Sequence, residues 1–422
     1  MNEDFLHYIW KYKLFEKETL ITNNGKQIEI LSTGMHNHDA GPDFLNAKIK
    51  IEDTIWVGNV EIHINASDWD KHLHQHNPAY NNVILHVVYL NDAKVFNTNK
   101  QEINTLSLHF DDQIFKKYES LKSKTHDIAC HSFVEKIDNF TLSHWTEKLL
   151  IERLEQKTQL VENLLESTKN DWNECFYIFL SRSFGFNLNN YAFEMLAKSL
   201  PQRILAKHKN NLFALEALLF GQAGMLTDKQ IDDEYYLNLQ KEYAFLQKKY
   251  ELTPIESYLW KFLRLRPVNF PTIRISQLAR LIHDSQSLLS QIVEMKSLKE
   301  LENLFDLQVS EYWLTHYTFG KLSEKKNKSF GKSSIDLLII NSIIPFLFLY
   351  GKKQKQAKVE DFALQLLENI KPEENKIISQ WRNLNVSITN AQQSQAFLQL
   401  YNEYCKPQKC LWCAIGNKVL RM

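Results

Sequence analysis

The feature that most limits what this chain can fold into is a change in the period of its apolar residues. Up to about Phe110 they alternate with polar ones; after about Asp127 they recur at spacings of three and four nearly to the C-terminus. The first pattern predicts strands over Gln27–Ser32, Phe44–Ile51, Ile55–Asn65, Val83–Leu90 and Glu102–Phe110, with a tight turn at Glu52-Asp53-Thr54. A short opening helix carries Phe5, Ile9, Trp10 and Leu14 at helical spacing, with Glu3 and Asp4 favourably placed in its first turn. A second helix over Ser67–His76 is ended by Asn77-Pro78. The predicted fold class is therefore α+β: a mixed N-terminal domain over 1–125 in the order helix, three strands, helix, strand, then an all-helical domain over 126–422. Helices expected in the latter include Thr141–Ser167, Trp172–Ser181, Tyr191–Ala206 and Leu212–Phe220.

Lys plus Arg equals Asp plus Glu at 50 each, so no global charge advertises a nucleic-acid or membrane partner, and any electrostatic recognition must come from local patches. The longest apolar run, Ile335–Tyr350, is interrupted by Asp336, Asn341, Ser342 and Pro345, which predicts a buried helix and no membrane span. The first residues lack a secretory pattern, and five cysteines without one point to a reducing, cytoplasmic setting.

Seven of the 15 histidines lie between His36 and His86, among Asp39, Asp43, Glu61, Asp68 and Asp70. Strand alternation puts Asn59, Glu61, His63 and Asn65 on one face and Val60, Ile62 and Ile64 on the other. Such a row must be solvated, mutually bonded or engaged with a ligand, because burying it unpartnered is costly. The hairpin joining Phe44–Ile51 to Ile55–Asn65 makes Asp43 a neighbour of Glu61 or His63. Two carboxylates at one site are most simply reconciled by a divalent cation: Mg2+ or Mn2+ for oxygen ligands, Zn2+ where histidine joins them.

Gly41-Pro42-Asp43 followed by Glu61-Ile62-His63, in this order of elements, resembles the PD-(D/E)XK nuclease superfamily. The resemblance covers about the first 90 residues. It implies a nuclease-like fold and a metal-dependent phosphodiesterase acting on or binding DNA or RNA, with Asp43 and Glu61 as metal ligands and Glu3 as a further carboxylate. His63 stands where that superfamily has lysine. Histidine can act as base or ligand near neutral pH, but it does not supply a permanent positive charge. Most of the chain also resembles a bacterial protein family of unknown function, through GPDF, GNVEIH, SDW followed by HxH, ILHVVY and RxRPxNFP. Alternative readings are a non-catalytic binding or scaffold protein on a degenerate nuclease-like domain, or a zinc-dependent hydrolase.

His72, His74 and His76 alternate: on a strand all three share a face, on a helix only His72 and His76 do. His86 lies within the apolar run Val83–Val88 and reads as a core residue or one supporting the site. Trp56 and Trp69 are expected to pack beside it. Cys405, Cys410 and Cys413 form a C-x4-C-x2-C run, with Cys130 as the available fourth thiolate. They are either a zinc or iron–sulfur ligand set or small apolar residues of a packed turn. Cys175 reads as core. Arg264, Arg266, Asn269 and Arg274 form the best local basic patch, suited either to phosphate or to a structural corner. The polar stretch 323–334 reads as an exposed loop, with phosphate binding as the sharper alternative.

Overall fold

A computed structural model describes residues 1–16, 20–123 and 126–422. The chain forms two compact units. One comprises Met1–Trp145 together with Tyr401–Met422, the other Thr146–Leu400. The last 22 residues, and the three late cysteines with them, thus belong with the N-terminal unit. The expected division after residue 125 falls at the edge of the undescribed pair 124–125.

The N-terminal unit is built on a seven-stranded mixed sheet. Its strands are β1 (Leu20–Ile21), β2 (Gln27–Ser32), β3 (Met35–His36), β4 (Phe44–Ile51), β5 (Thr54–Asn65), β6 (Val83–Leu90) and β7 (Thr105–Ser107), in the order β1-β2-β4-β5-β6-β7, with β3 on β4. Neighbours up to β5 are antiparallel, whereas β6 runs parallel to β5 and β7 to β6. The parallel step needs a crossover, and residues 66–82 provide it. Helix α1 (Glu3–Lys11) is capped by Asn2, whose side chain accepts from the Phe5 N–H, and its acidic first turn and Lys11 suit the helix dipole. It buries Phe5, Leu6, Tyr8, Ile9 and Trp10.

Two expected elements are shorter than their patterns. The strand expected over Glu102–Phe110 is regular only at Thr105–Ser107, because Glu102 and Phe110 make isolated bridges to Phe96 and Phe15. The helix expected over Ser67–His76 ends after one turn, α2 (Asp68–Lys71): Leu73 takes a left-handed conformation at φ 61°, and a 3-10 turn follows at His74–His76. Trp69 is fully buried, but Trp56 is half exposed near the hairpin end, so only Trp69 packs under the site.

The second unit is helical apart from a two-stranded ribbon, His316–Thr318 with Lys321–Leu322, which departs from the all-helical expectation. Its helices α4 (Trp172–Phe184) and α7 (Leu212–Gln222) follow the apolar period, while α3 (Asn139–Ser167) begins in the first unit and runs on into the second. The single helix expected over Tyr191–Ala206 is two, α5 (Phe186–Ser199) and α6 (Gln202–His208), because Pro201 cannot continue the first. Lys332–Gln354 is one helix, long and apolar enough by composition to cross a membrane, and 72% of its most apolar window is buried within the protein.

Candidate metal centre

Register creates the centre. In the antiparallel β4/β5 pair Phe44 lies opposite Val60, so Asp43 and Glu61 are cross-strand neighbours. Each carboxylate is anchored by the other strand's backbone. The Ile62 N–H donates to Asp43 Oδ2 at 2.8 Å, and the Asp43 N–H donates to Glu61 Oε2 at 3.1 Å. His63, two residues beyond Glu61, shares its face.

The crossover delivers the next two side chains. A continuous helix would have placed His72 and His76 together; the left-handed Leu73 instead turns His72 and His74 toward His63 and leaves His76 outside the group. His63, His72 and His74 each offer one ring nitrogen, and these atoms all lie within 4.8 Å of one another. His63 Nε2 is 3.1 Å from His72 Nδ1, and Glu61 Oε1 lies 3.5 Å from His63 Nε2 and 3.3 Å from His74 Nε2. Glu61, His63 and His74 are buried, whereas His72 is exposed and opens the group to solvent.

Further side chains hold these in place. His86 is fully buried on β6 and sets its Nε2 2.9 Å from His63 Nδ1, so it fixes the ring from behind. Tyr80 stacks on His74 at 3.8 Å between ring centres. Asp68 accepts from the Asn65 backbone and side chain and from Lys71; these bonds override burial and hold its carboxyl down at about 2. His7 was not singled out in the sequence. It lies one helical turn from Glu3 on α1 and places Nε2 3.2 Å from Asp43 Oδ2. No local pattern marks it, because only the packing of α1 against β5 brings it to Asp43.

The electrostatics are those of a site short of positive charge. Burial, and then the charge of Asp43, push the Glu61 carboxyl far above the usual range. Burial and Asp43 likewise raise Glu3. Burial lowers His63 to about 2, reinforced by His86, His74 and His72, and lowers His86 to about 3. His7 moves the other way: burial would lower it, but the hydrogen bond and charge of Asp43 raise it.

The group has two self-consistent forms. Neutral imidazoles each carry one donor and one acceptor, so His72, His63 and His86 can bond as a chain while a protonated Glu61 faces His74. Alternatively Glu61 ionises and the three lone pairs turn to a cation. The donor set fits zinc well, and manganese acceptably; magnesium, which prefers oxygen ligands and retains its waters, fits less well.

Other sequence-level candidates are not brought to this centre. Asp39 sits on an exposed turn. Asn59 accepts from the Asn46 N–H at 3.2 Å, supporting a left-handed bulge residue in β4. The basic string divides. Arg274 is buried and donates to Gln277 and Asn269 at 2.8 and 2.7 Å, with its guanidinium 4.0 Å from the Phe330 ring centre, so Arg274 and Asn269 form a structural corner. Only Arg264 and Arg266 remain exposed there. The loop 323–334 is likewise not wholly exposed, because buried Lys328 donates to the carbonyls of Trp313, Leu314 and His316.

Fold and site together define an α+β protein whose sheet carries a buried carboxylate–histidine cluster of metal-ligand type. The chain belongs to the family described as "Protein of unknown function (DUF2851)", which it matches over residues 3–376. No curated protein and no solved structure matches it.

Proposed function

We propose that the N-terminal unit is a divalent-metal-dependent phosphodiesterase, with nucleic acid as its substrate class. The observation that carries this reading is the convergence of Glu61, His63, His72 and His74, beside Asp43, at a point that His72 opens to solvent. Glu61, His63, His72 and His74 would hold the ion. Bound there, it would polarise a phosphoryl oxygen and acidify water. Asp43, anchored by the Ile62 N–H, orients His7 and favours its protonated form, which would offer a proton donor to a phosphate held at the ion. His86 fixes the His63 ring. A nuclease-like fold is supported by the succession of α1, the longer strands β2, β4 and β5, α2 and β6, with the two-residue strands β1 and β3 between them, and by the pairing of Asp43 with Glu61 across adjacent strands.

The test is cleavage of DNA and RNA oligonucleotides and of an activated phosphodiester with Zn2+, Mn2+ or Mg2+. Metal-dependent cleavage should vanish in Glu61→Ala and His63→Ala chains that remain folded. A folded, metal-loaded protein that cleaves none of these substrates overturns the catalytic reading. The three imidazoles also favour a second reading, a zinc-dependent hydrolase of small molecules. Turnover of the activated diester without cleavage of either oligonucleotide selects it.

A further inference from the structure

The helical unit holds a cavity that plays no part in the function proposed above. It measures about 370 Å3, within the usual size of a small-molecule site, and its charged lining consists of three cations, Arg153, Lys157 and Arg182, and one carboxylate, Glu373. Arg153 and Lys157 come from successive turns of α3, and Arg182 comes from α4. Asn187 and Asn190 of α5 add neutral polar groups, and Phe186 adds a ring face.

Two of these cations meet over one neutral oxygen. Arg153 Nε and Lys157 Nζ both donate to Gln395 Oε1, at 2.6 and 2.7 Å, and the Gln395 amide nitrogen donates to Glu373. Lys157 Nζ also meets Asn341 Oδ1 at 2.9 Å and the Ile340 carbonyl at 3.4 Å. Burial, and then the Arg153 charge, lower the pKa of Lys157 against the opposing pull of Glu373. Arg182 is bound to Glu194, but Lys198 shares that carboxylate at 2.6 Å, so this group also keeps a net positive charge. The backbone is irregular on both sides of the cavity. The helix Lys332–Gln354 loosens into a π-helical turn at Ile339–Ile343, which presents the Ile340 carbonyl and Asn341 to Lys157. Phe186, at the junction of α4 and α5, takes a left-handed φ of 45°, a costly conformation for a bulky residue. Irregularities of both kinds concentrate at ligand sites.

We propose that this cavity binds a small polar phosphomonoester, its phosphate received by Arg153 and Lys157 and its body held among Asn187, Asn190 and Phe186. Three cations against one carboxylate select an anion, and two cations side by side suit a phosphate dianion better than a singly charged carboxylate. The contact to the Ile340 carbonyl is the longest that Lys157 makes, and it is the one a phosphate oxygen replaces. The anion then supplies the negative charge that the neutral Gln395 amide does not. The asparagine amides pair with hydroxyl groups of the ligand body, and the Phe186 ring covers its apolar face. The site is separate from the histidine centre and does not depend on the function proposed for it.

The test is calorimetric titration of the full chain, stripped of metal on a chelating resin, with ribose 5-phosphate, inorganic phosphate and ribose. Ribose 5-phosphate should bind about 10-fold more tightly than inorganic phosphate, the scale of one or two added hydrogen bonds, and ribose should not bind. Lys157→Met should weaken ribose 5-phosphate binding about 10- to 100-fold, the scale of a hydrogen bond to a charged group. Should that variant fail to fold, Asn187→Asp takes its place. Asn187 is exposed in the first turn of α5, where an acid suits the helix dipole, and a negative charge there should weaken binding about 10-fold. No binding of ribose 5-phosphate, inorganic phosphate bound as tightly as the ester, or equal affinity in whichever variant folds overturns the proposal.

Discussion

The two units each bury a polar cluster, and the clusters differ in whether they can satisfy themselves. In the helical unit, Arg274 meets amide oxygens of Asn269 and Gln277, Gln277 donates to the Lys328 carbonyl, and the Lys328 ammonium meets three carbonyls. Buried Glu216 accepts from Tyr235, Ser276 and Ser310. Donors face acceptors, and the group closes but for Arg274 Nε. In the sheet unit, carboxylate faces carboxylate and imidazole faces imidazole, and only protonation of Glu61 or a cation relieves it. Buried charge is therefore a weak sign of function by itself; acceptors set against acceptors are a much stronger one.

Four measurements sharpen or break this contrast. The largest effect is expected for Glu61→Gln, which keeps the shape of the site but removes the ionisable ligand. Metal-dependent cleavage should fall about 1000-fold, the scale of losing a preorganised electrostatic group, with the unfolding midpoint little changed; unaltered cleavage would remove Glu61 from the centre. Next is Arg274→Ala, which should cost about 3 kcal/mol of stability by stranding Asn269 and Gln277. Denaturant unfolding measures this, and zinc content should stay constant. His86→Asn should weaken zinc binding about 10- to 100-fold through the loosened His63 ring, as read by competition with a chelator. Equal affinity would show that His86 only fills space.

The smallest effect concerns pH. Burial holds the Glu216 carboxyl above its ordinary value of 4.5, so the folded state binds that proton more tightly than the unfolded chain. The resulting stabilisation is complete below 4.5 and is lost as pH rises through the raised folded-state value. Glu216→Gln cannot ionise. Wild-type stability relative to this variant should therefore decline with rising pH across that window, and a flat difference would show that Glu216 ionises in the folded state as it does in water.

Much of the sheet was legible because period-two alternation depends only on neighbouring residues. Asp43, Glu61 and His63 could be placed together from one hairpin and its register. The rest depended on features that the periodicity does not show. His7 reaches Asp43 through the packing of α1, and the choice of His74 over His76 depends on one left-handed residue, Leu73. Asn269 and Arg274 stayed open between a phosphate patch and a structural corner, because a sequence shows charge but not which aromatic face will cover it; Phe330 does so from 56 residues beyond Arg274.

By itself, then, the sequence determined the periodic elements, the polar face of β5 and the cysteine spacing, all set by local geometry. The tertiary structure alone decided which polar groups face one another. It turned His72 and His74 toward His63, closed Arg274 onto Asn269, and placed Cys405, Cys410 and Cys413 in the same unit as Cys130. The reason is physical: whether a buried polar side chain is a structural prop or a ligand depends on the partner it meets, and here that partner is usually distant in sequence.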